Sequence, residues 1–208
     1  MNNTATKFPL NLFFSLMLLS FIPFVYTLVR TSLIVNSPST DGLGIAGHIE
    51  WFDLINETIQ AFLIVPLFAL FNRCMQDTEQ LKERIFQSFL IVNGIYITFS
   101  IVVLIHCNAI VSTMVYDRLD EVTRYLALET IGFIIANVVS FVNVLFVVLE
   151  KTLYIYIMII CKTVLTILGD LFLISNFGVN GIAYSNIAVS SVCVVICLTV
   201  VFREKLAA

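Results

Sequence analysis

The chain has 208 residues, of which 60% are hydrophobic and 12% are charged, with a formal net charge of −3. Water-soluble domains are typically about 45–50% apolar and about 25% charged, so this composition excludes an ordinary globular protein. The pI of about 5.3 argues against a nucleic-acid partner, because no basic surface is available to neutralise phosphates. With a mean hydropathy of +1.01, the composition predicts a polytopic helical membrane protein.

Six apolar stretches long enough to cross a bilayer follow one another along the chain. They cover residues 8–35, 48–71, 85–107, 124–149, 153–175 and 181–202. Polar or Gly/Asn-rich segments between them are read as loops, among them 36–42, 72–84, 118–124 and 175–181. The predicted fold is therefore all-α, a single six-helix transmembrane lobe over residues 1–204. Residues 205–208 resemble a vector-derived tail.

The distribution of basic residues predicts the orientation of the lobe. With the N-terminus inside, seven lysines and arginines fall on the cytoplasmic side and two on the other side. The seven are Lys7, Arg73, Lys82, Arg84, Lys151, Arg203 and Lys205, and the two are Arg118 and Arg124. We therefore expect both termini to be cytoplasmic, in a multi-pass protein of the plasma (inner) membrane.

Several ionisable side chains fall inside the predicted spans, where each costs about 2.5–3.5 kcal/mol at a helix centre and so marks a candidate functional site. They are Arg30, Asp53, Glu57, Glu129, Lys162 and Asp170. At about 1.5 Å per residue, Lys162 lies near the midplane and the others lie on its outer side. The inner halves of the spans carry no charge. This asymmetry predicts a cavity open to the outside above an uncharged floor.

Two interpretations of these charges stay open. Glu57 and Glu129 are candidate counter-charges for a cationic substrate, with Asp53 and Lys162 as further cavity residues. Alternatively, Asp53 is a headgroup-boundary residue, Lys162 belongs to a structural ion pair, and Arg30 and Asp170 form a static pair between two helices. No cysteine and histidine spacing fits a zinc site, and no Ser/His/Asp order favours hydrolysis, so neither a metal cofactor nor an enzyme is predicted.

Four segments resemble one family in register. YTLVRTSLIVNSPSTDGLGIAGHI at 26–49, EVTRYLALETIGF at 121–133, LGDLFLI at 168–174 and FGVNGIAYSNIAVS at 177–190 are similar to helix ends of the multidrug and toxic compound extrusion (MATE) transporters. Those proteins have twelve helices in two similar lobes and exchange organic cations or other amphiphiles for H⁺ or Na⁺. The resemblance covers their N-terminal lobe.

The resemblance also implies an ion-coupling group in this chain. Asp170 matches the fifth-helix acid of the family, Thr166 stands where an Asn is expected, and Asn186 stands where a Thr is expected. Arg30 stands where the family has a first-helix Asp. Because a guanidinium keeps its charge at accessible pH, Arg30 beside Asp170 opposes the inherited H⁺ or Na⁺ coupling.

The first functional hypothesis is a MATE-like transporter of cationic or amphiphilic small molecules that works by alternating access. Its second lobe is a second copy in a homodimer or a covalent continuation of the chain, since repeats in one orientation are related by an axis along the membrane normal. The alternatives are a flippase of lipids or lipid-linked sugars in the same superfamily, and a non-transporting membrane subunit or isolated lobe.

Overall fold

The computed structural model describes residues 21, 25–36, 43–74, 78–114 and 119–203 of the chain. Residues 25–36 are helical and are called α1. Five longer helices follow: α2 (Leu43–Cys74), α3 (Thr78–Met114), α4 (Leu119–Val148), α5 (Thr152–Phe177) and α6 (Asn180–Arg203). The described residues contain no strand, which confirms the all-α prediction.

Helices α2 to α6 are each long and apolar enough to cross a membrane. Their outer faces carry large apolar side chains, such as Phe62, which is 78% exposed, and Phe202, which is 74% exposed. Water-soluble monomers rarely expose extended apolar surface of this kind, whereas a lipid environment accepts it. Each helix also satisfies its own backbone hydrogen bonds, as a membrane span must. The described residues thus form an all-helical bundle with five candidate membrane-spanning helices, as is typical of a multi-pass membrane protein.

Two of the predicted loops, at 72–84 and 118–124, are largely helical, so the predicted loop boundaries are wrong there. The predicted break at 72–84 shrinks because α2 runs to Cys74 and α3 begins at Thr78, and α4 begins at Leu119, inside the predicted break at 118–124. Polar pairs on the first turns of α3 support this extension beyond the apolar stretch, as Gln87 Nε2 donates to Glu83 Oε1 at 2.7 Å. Other boundary predictions fall on residues that the structure does not describe. These residues are 8–20, 22–24, 37–42 and 205–208.

Helix α4 is the centre of the bundle. It packs against α2 and α3 on one side and against α5 and α6 on the other, whereas neither α2 nor α3 approaches α5 or α6. Helices α3 and α4 run antiparallel, since Cys107 near the end of α3 contacts the Thr123 carbonyl near the start of α4. Among helices α2 to α6, this arrangement leaves a gap over one face of α4, between α2 on one side and α5 and α6 on the other.

Three apolar clusters hold the helices together, and they leave the charged side chains between them. One cluster lies at the end of the bundle where α3 ends and α4 begins, and includes Ile34, Val111 and Ile182. A second joins α2, α3 and α4, where the Phe141 ring stacks edge-on against Phe71 and Phe89. The third joins α4, α5 and α6.

A close approach of α5 and α6 sets the position of the functional side chains on both. The connection turns at Gly178, whose φ of 61° favours glycine, and its N–H donates to the Ile174 carbonyl at 3.0 Å. Further into the bundle, Gly169 lies directly against the Ser185 side chain. Because no Cβ intervenes there, α5 and α6 approach closely at this level, one residue before Asp170 on α5 and one before Asn186 on α6.

Candidate functional site

A cavity of about 590 Å³ occupies the gap beside α4 and is lined by five of the helices. Its α4 wall includes Gly132 and Ala136, whose small side chains leave space, while α1, α2, α5 and α6 form the other walls. The described lining residues are Tyr26, Thr27, Arg30, Thr31, Ile34, Asp53, Leu54, Glu57, Glu129, Gly132, Phe133, Ala136, Asn143, Ile159, Lys162, Thr163, Thr166, Asn186 and Ser190. A volume of this size is typical of small-molecule sites.

Arg30 joins three helices at one end of the cavity. Its Nη1 donates to Asp53 Oδ2 on α2 at 3.0 Å, and its Nε lies 3.7 Å from Asp170 Oδ2 on α5. Arg30 is 8% exposed and Asp170 is 1% exposed. The predicted proximity of Arg30 and Asp170 is therefore present, and Asp53 is the closer partner. The sequence interpretation of Asp53 as a headgroup-boundary residue does not fit this contact.

Tyr26 completes this charged junction from one turn earlier on α1. Its ring centroid lies 5.6 Å from Arg30 Cζ, within the range of a cation–π contact. Its hydroxyl donates to Asp170 Oδ2 at 3.4 Å. Sequence reasoning missed Tyr26, although its spacing of four residues from Arg30 places both on one helix face.

Glu129 is a second charged centre in the cavity, on α4. It is 1% exposed, and its Oε1 accepts a hydrogen bond from Asn186 Nδ2 on α6. Its Oε2 is buried and has no hydrogen-bond partner among the described residues. Buried polar atoms without a protein partner are uncommon, so this oxygen marks a candidate binding position on the cavity wall. Asn186, which the sequence analysis groups with Asp170, thus contacts Glu129 instead.

Thr166 is buried on the cavity wall one turn before Asp170. Its hydroxyl donates to the Lys162 carbonyl of the same helix at 2.7 Å, and its own carbonyl accepts from Ser185 Oγ at 3.4 Å. The hydroxyl proton is used within α5, so Thr166 offers the cavity only the acceptor capacity of its oxygen.

Glu57 and Lys162 line the cavity and are solvent-exposed. Neither forms an ion pair with any of the described residues. The alternative interpretation of Lys162 as a member of a structural ion pair is therefore wrong for the described part of the chain. The four residues predicted as cavity residues, Asp53, Glu57, Glu129 and Lys162, all line the same space.

The cavity is not confined to the charged half of the lobe. Asn143 and Ile159 line it, and both belong to the stretches that were expected to form an uncharged, sealed floor. At the opposite end, the cluster that includes Ile34, Val111 and Ile182 covers the charged side chains. Among the described residues the cavity therefore extends beside α4 into the predicted floor. Residues 10–20, which belong to that predicted floor, lie outside the described residues, so its closure stays a prediction.

Acidic groups exceed basic groups around this space. Of the ionisable residues described at this site, Asp53, Glu57, Glu129 and Asp170 are acidic and Arg30 and Lys162 are basic, a formal excess of two negative charges. Arg30 is already bound by two carboxylates. Among the described residues, no cluster of three or more histidine, cysteine or acidic side chains has a geometry that could hold a metal ion.

Comparisons of the chain with protein-family models, curated protein sequences and solved structures found no match. The fold and the geometry of the cavity are therefore the basis for the functional argument.

Proposed function

We propose that the protein is a membrane transporter whose cavity binds a cationic, amphiphilic small molecule and exposes it alternately to the two sides of the membrane. The observation that carries this proposal is the Glu129 carboxylate, which is 1% exposed and has one oxygen without a partner among the described residues. A buried carboxylate on a cavity wall is costly unless it meets a cation or a proton. A cationic substrate supplies that partner.

The charge balance of the cavity supports a cation over an anion. Arg30 is the buried cation of the site, and Asp53 and Asp170 already neutralise it. Glu129 has no cationic partner of this kind: among the described residues, its side-chain hydrogen bond comes from the neutral amide of Asn186. An organic cation binding here gains a charge-assisted contact without displacing an existing pair.

The apolar part of the lining favours an amphiphile over a small inorganic ion. Tyr26, Phe133, Leu54 and Ile159 contribute aromatic and aliphatic surface to the same space. Aromatic faces also attract organic cations. The proposed substrate is therefore a bulky organic cation with apolar substituents.

The resemblance of the sequence to MATE transporters supports the same class of substrate, and we propose that the chain is one lobe of a MATE-like, two-lobed transporter. In this proposal both termini are cytoplasmic and the protein resides in the plasma (inner) membrane. We propose that coupling to H⁺ or Na⁺, where it occurs, does not use the inherited first-helix acid, because Arg30 stands in its place.

Counterflow in proteoliposomes tests the proposal without assuming any coupling ion. Vesicles loaded with unlabelled tetraphenylphosphonium are expected to take up labelled tetraphenylphosphonium faster with the protein than without it. The Glu129→Gln variant is expected to lose about tenfold or more of this rate, whereas Asp120→Asn, an exposed acid on the same helix, should not. Imposed H⁺ and Na⁺ gradients then test coupling.

The flippase of lipids or lipid-linked sugars remains a second candidate, and one observation favours it: Lys162 is exposed on the cavity wall, where an anionic headgroup could pair with it. Binding of an anionic lipid that Lys162→Ala abolishes and Glu129→Gln leaves unchanged would select the flippase. If folded protein in vesicles transports neither the organic cation nor the anionic lipid, both transport proposals are contradicted. The interpretation as a non-transporting membrane subunit would then remain.

A further inference from the structure

We propose that Cys193, Cys197 and Met158 form a binding site for a soft monovalent metal ion of the Cu(I) type, between α5 and α6. Met158 is 12 residues before Asp170 on α5, which is about 18 Å along the helix. The site is therefore separate from the charged side chains around Arg30, and it is independent of the proposed transport function.

The three sulfur-bearing side chains belong to one buried group. Cys193 and Cys197 are 0% exposed and Met158 is 3% exposed, and all three pack in the apolar cluster that joins α4, α5 and α6. The Cys197 thiol donates to Met158 Sδ at 3.9 Å. Cys193 is one turn earlier on the same face of α6, and residues four apart on a helix have Cβ atoms about 5–6 Å apart. Both thiols can therefore reach a point beside the Met158 thioether.

The sulfur separation fits three-coordinate geometry. Thiolate sulfur binds Zn²⁺ at about 2.3 Å, and Cu(I) has the same d¹⁰ configuration. Three sulfur atoms placed evenly around an ion at about 2.3 Å are about 4.0 Å from one another. The distance of 3.9 Å between Cys197 Sγ and Met158 Sδ is close to this value. A staggered rotamer of Cys193 that points toward Cys197 supplies the third corner.

The chemistry of the donor set selects the ion. Thiolate and thioether ligands favour Cu(I), whereas Mg²⁺ and Ca²⁺ need oxygen ligands and structural Zn²⁺ takes four ligands. The third ligand is a thioether, which sets this group apart from a site built of histidine, cysteine and acidic side chains.

The charge of the occupied site also favours a monovalent ion. On binding, the S–H bond of Cys197 breaks, its proton passes to water, and the thiolate forms a bond to the ion. The Met158 thioether and the Cys193 thiol bind as neutral donors. One thiolate then neutralises one monovalent cation, so that no net charge is buried in the apolar cluster, where burial of charge is costly.

An entry path for the ion leads from the cavity. Ile159 and Ser190 line the cavity. Ile159 directly follows Met158 in α5, and Ser190 is three residues before Cys193 in α6. The sulfur atoms are therefore next to the cavity wall, and an ion bound by them ties α5 to α6 at this wall.

The other three cysteines have different surroundings. Cys107 Sγ donates to the Thr123 carbonyl at 3.2 Å. Cys74 packs in the cluster that joins α2, α3 and α4, and Cys161 is only partly buried on α5. These three thiols are the matched controls for the proposed site.

Binding of Cu(I), and of Ag(I) as a probe that does not oxidise, tests the proposal on purified protein without oxygen or thiol reductants. We expect one ion per chain and a Cu X-ray absorption spectrum with three sulfur neighbours at about 2.3 Å. The variant Cys193→Ala/Cys197→Ala should lose at least about 100-fold in affinity, since changes in residues that only support metal ligands already cost about 10–100-fold. Met158→Leu keeps an apolar side chain and should leave two sulfur neighbours.

The control variant carries alanine in place of Cys74, Cys107 and Cys161, and should bind one ion as tightly as the wild-type protein. Loss of binding by this control, or tight binding by the double variant, overturns the proposal, because other thiols then hold the ion. A wild-type protein that binds neither ion, or a spectrum of nitrogen or oxygen neighbours, also overturns it. If the double variant does not fold, the wild-type spectrum and the control variant decide the outcome.

Discussion

Two buried polar regions on α4 differ in how completely their hydrogen bonds are formed. Toward α2 and α3 lies an amide network, in which Tyr96 Oη donates to Asn56 Oδ1 at 3.2 Å and Asn137 Nδ2 donates to Asn93 Oδ1 at 3.0 Å. Of the four residues in this network, only Asn137 has a polar atom without a partner among the described residues.

The charged region on the other side of α4 comprises Arg30, Asp53, Asp170 and Glu129. Here Arg30 Nη2, Asp170 Oδ1 and Glu129 Oε2 are buried and lack hydrogen-bond partners among the described residues, and a cavity lies beside them. Interhelical amide bonds are a common way of joining membrane helices. Buried polarity alone is thus a poor indicator of function, and incomplete bonding beside open space is a better one.

The largest expected effect comes from removing the cation of the charged region. Arg30→Met leaves the buried Asp170 and the partly buried Asp53 without their shared cation, and breaking a buried pair in this way costs about 3–5 kcal/mol. We expect the free energy of unfolding in detergent to fall by that amount. Arg203→Met, at an exposed position on α6, should change it by less than about 0.5 kcal/mol. Equal effects of the two substitutions would show that the Arg30 junction does not stabilise the fold.

A smaller effect is expected in the amide network. Tyr96→Phe removes the donor to Asn56 Oδ1, which leaves a buried acceptor and costs about 1–3 kcal/mol. Binding of an organic cation should be unchanged after correction for the folded fraction. Thr98→Val, exposed on the same helix, is the matched control. Weaker cation binding by folded Tyr96→Phe protein would remove the distinction between the two regions.

The smallest effect concerns the shape of the cavity. At Gly132, an added Cβ lies 3.4 Å from Ile187 Cγ1 and 3.6 Å from Asn186 Cβ, which is ordinary contact, so Gly132→Ala should fold. The new methyl group takes space beside Glu129 and should weaken cation binding by up to about tenfold. Gly94→Ala, where nothing lies within 4 Å, should leave binding unchanged. Identical binding by both variants would argue that the substrate does not contact this wall.

Much of the fold is predictable from the sequence because apolar length is a strong signal in a membrane protein. The α5 and α6 bounds differ from the predicted spans by only one or two residues. The ends of α2, α3 and α4 were misjudged because hydropathy marks the end of the apolar core, while polar residues such as Glu83 and Gln87 continue the helix into water.

The candidate site is predictable as a set of residues but not as a set of contacts. Intramembrane charge alone was enough to identify Arg30, Asp170 and Glu129. Which acid approaches Arg30 most closely depends on the rotation of α2 about its axis. The contact of Asn186 with Glu129 depends on how closely α6 packs on α4. The spacing of residues along one helix predicts neither the rotation of α2 nor the packing distance between α6 and α4.

Equilibrium binding of two probes of the same shape and opposite charge tests most directly whether the cavity selects cations through Glu129. Labelled tetraphenylphosphonium and tetraphenylborate would be compared on the wild-type protein, Glu129→Gln and Asp120→Asn in the same detergent. We expect the wild-type protein to prefer the cation, Glu129→Gln to lose about tenfold or more of cation affinity, and Asp120→Asn to match the wild type. A preference for the anion, or a Glu129→Gln protein that binds the cation as tightly as the wild type, would contradict the proposed role of this carboxylate.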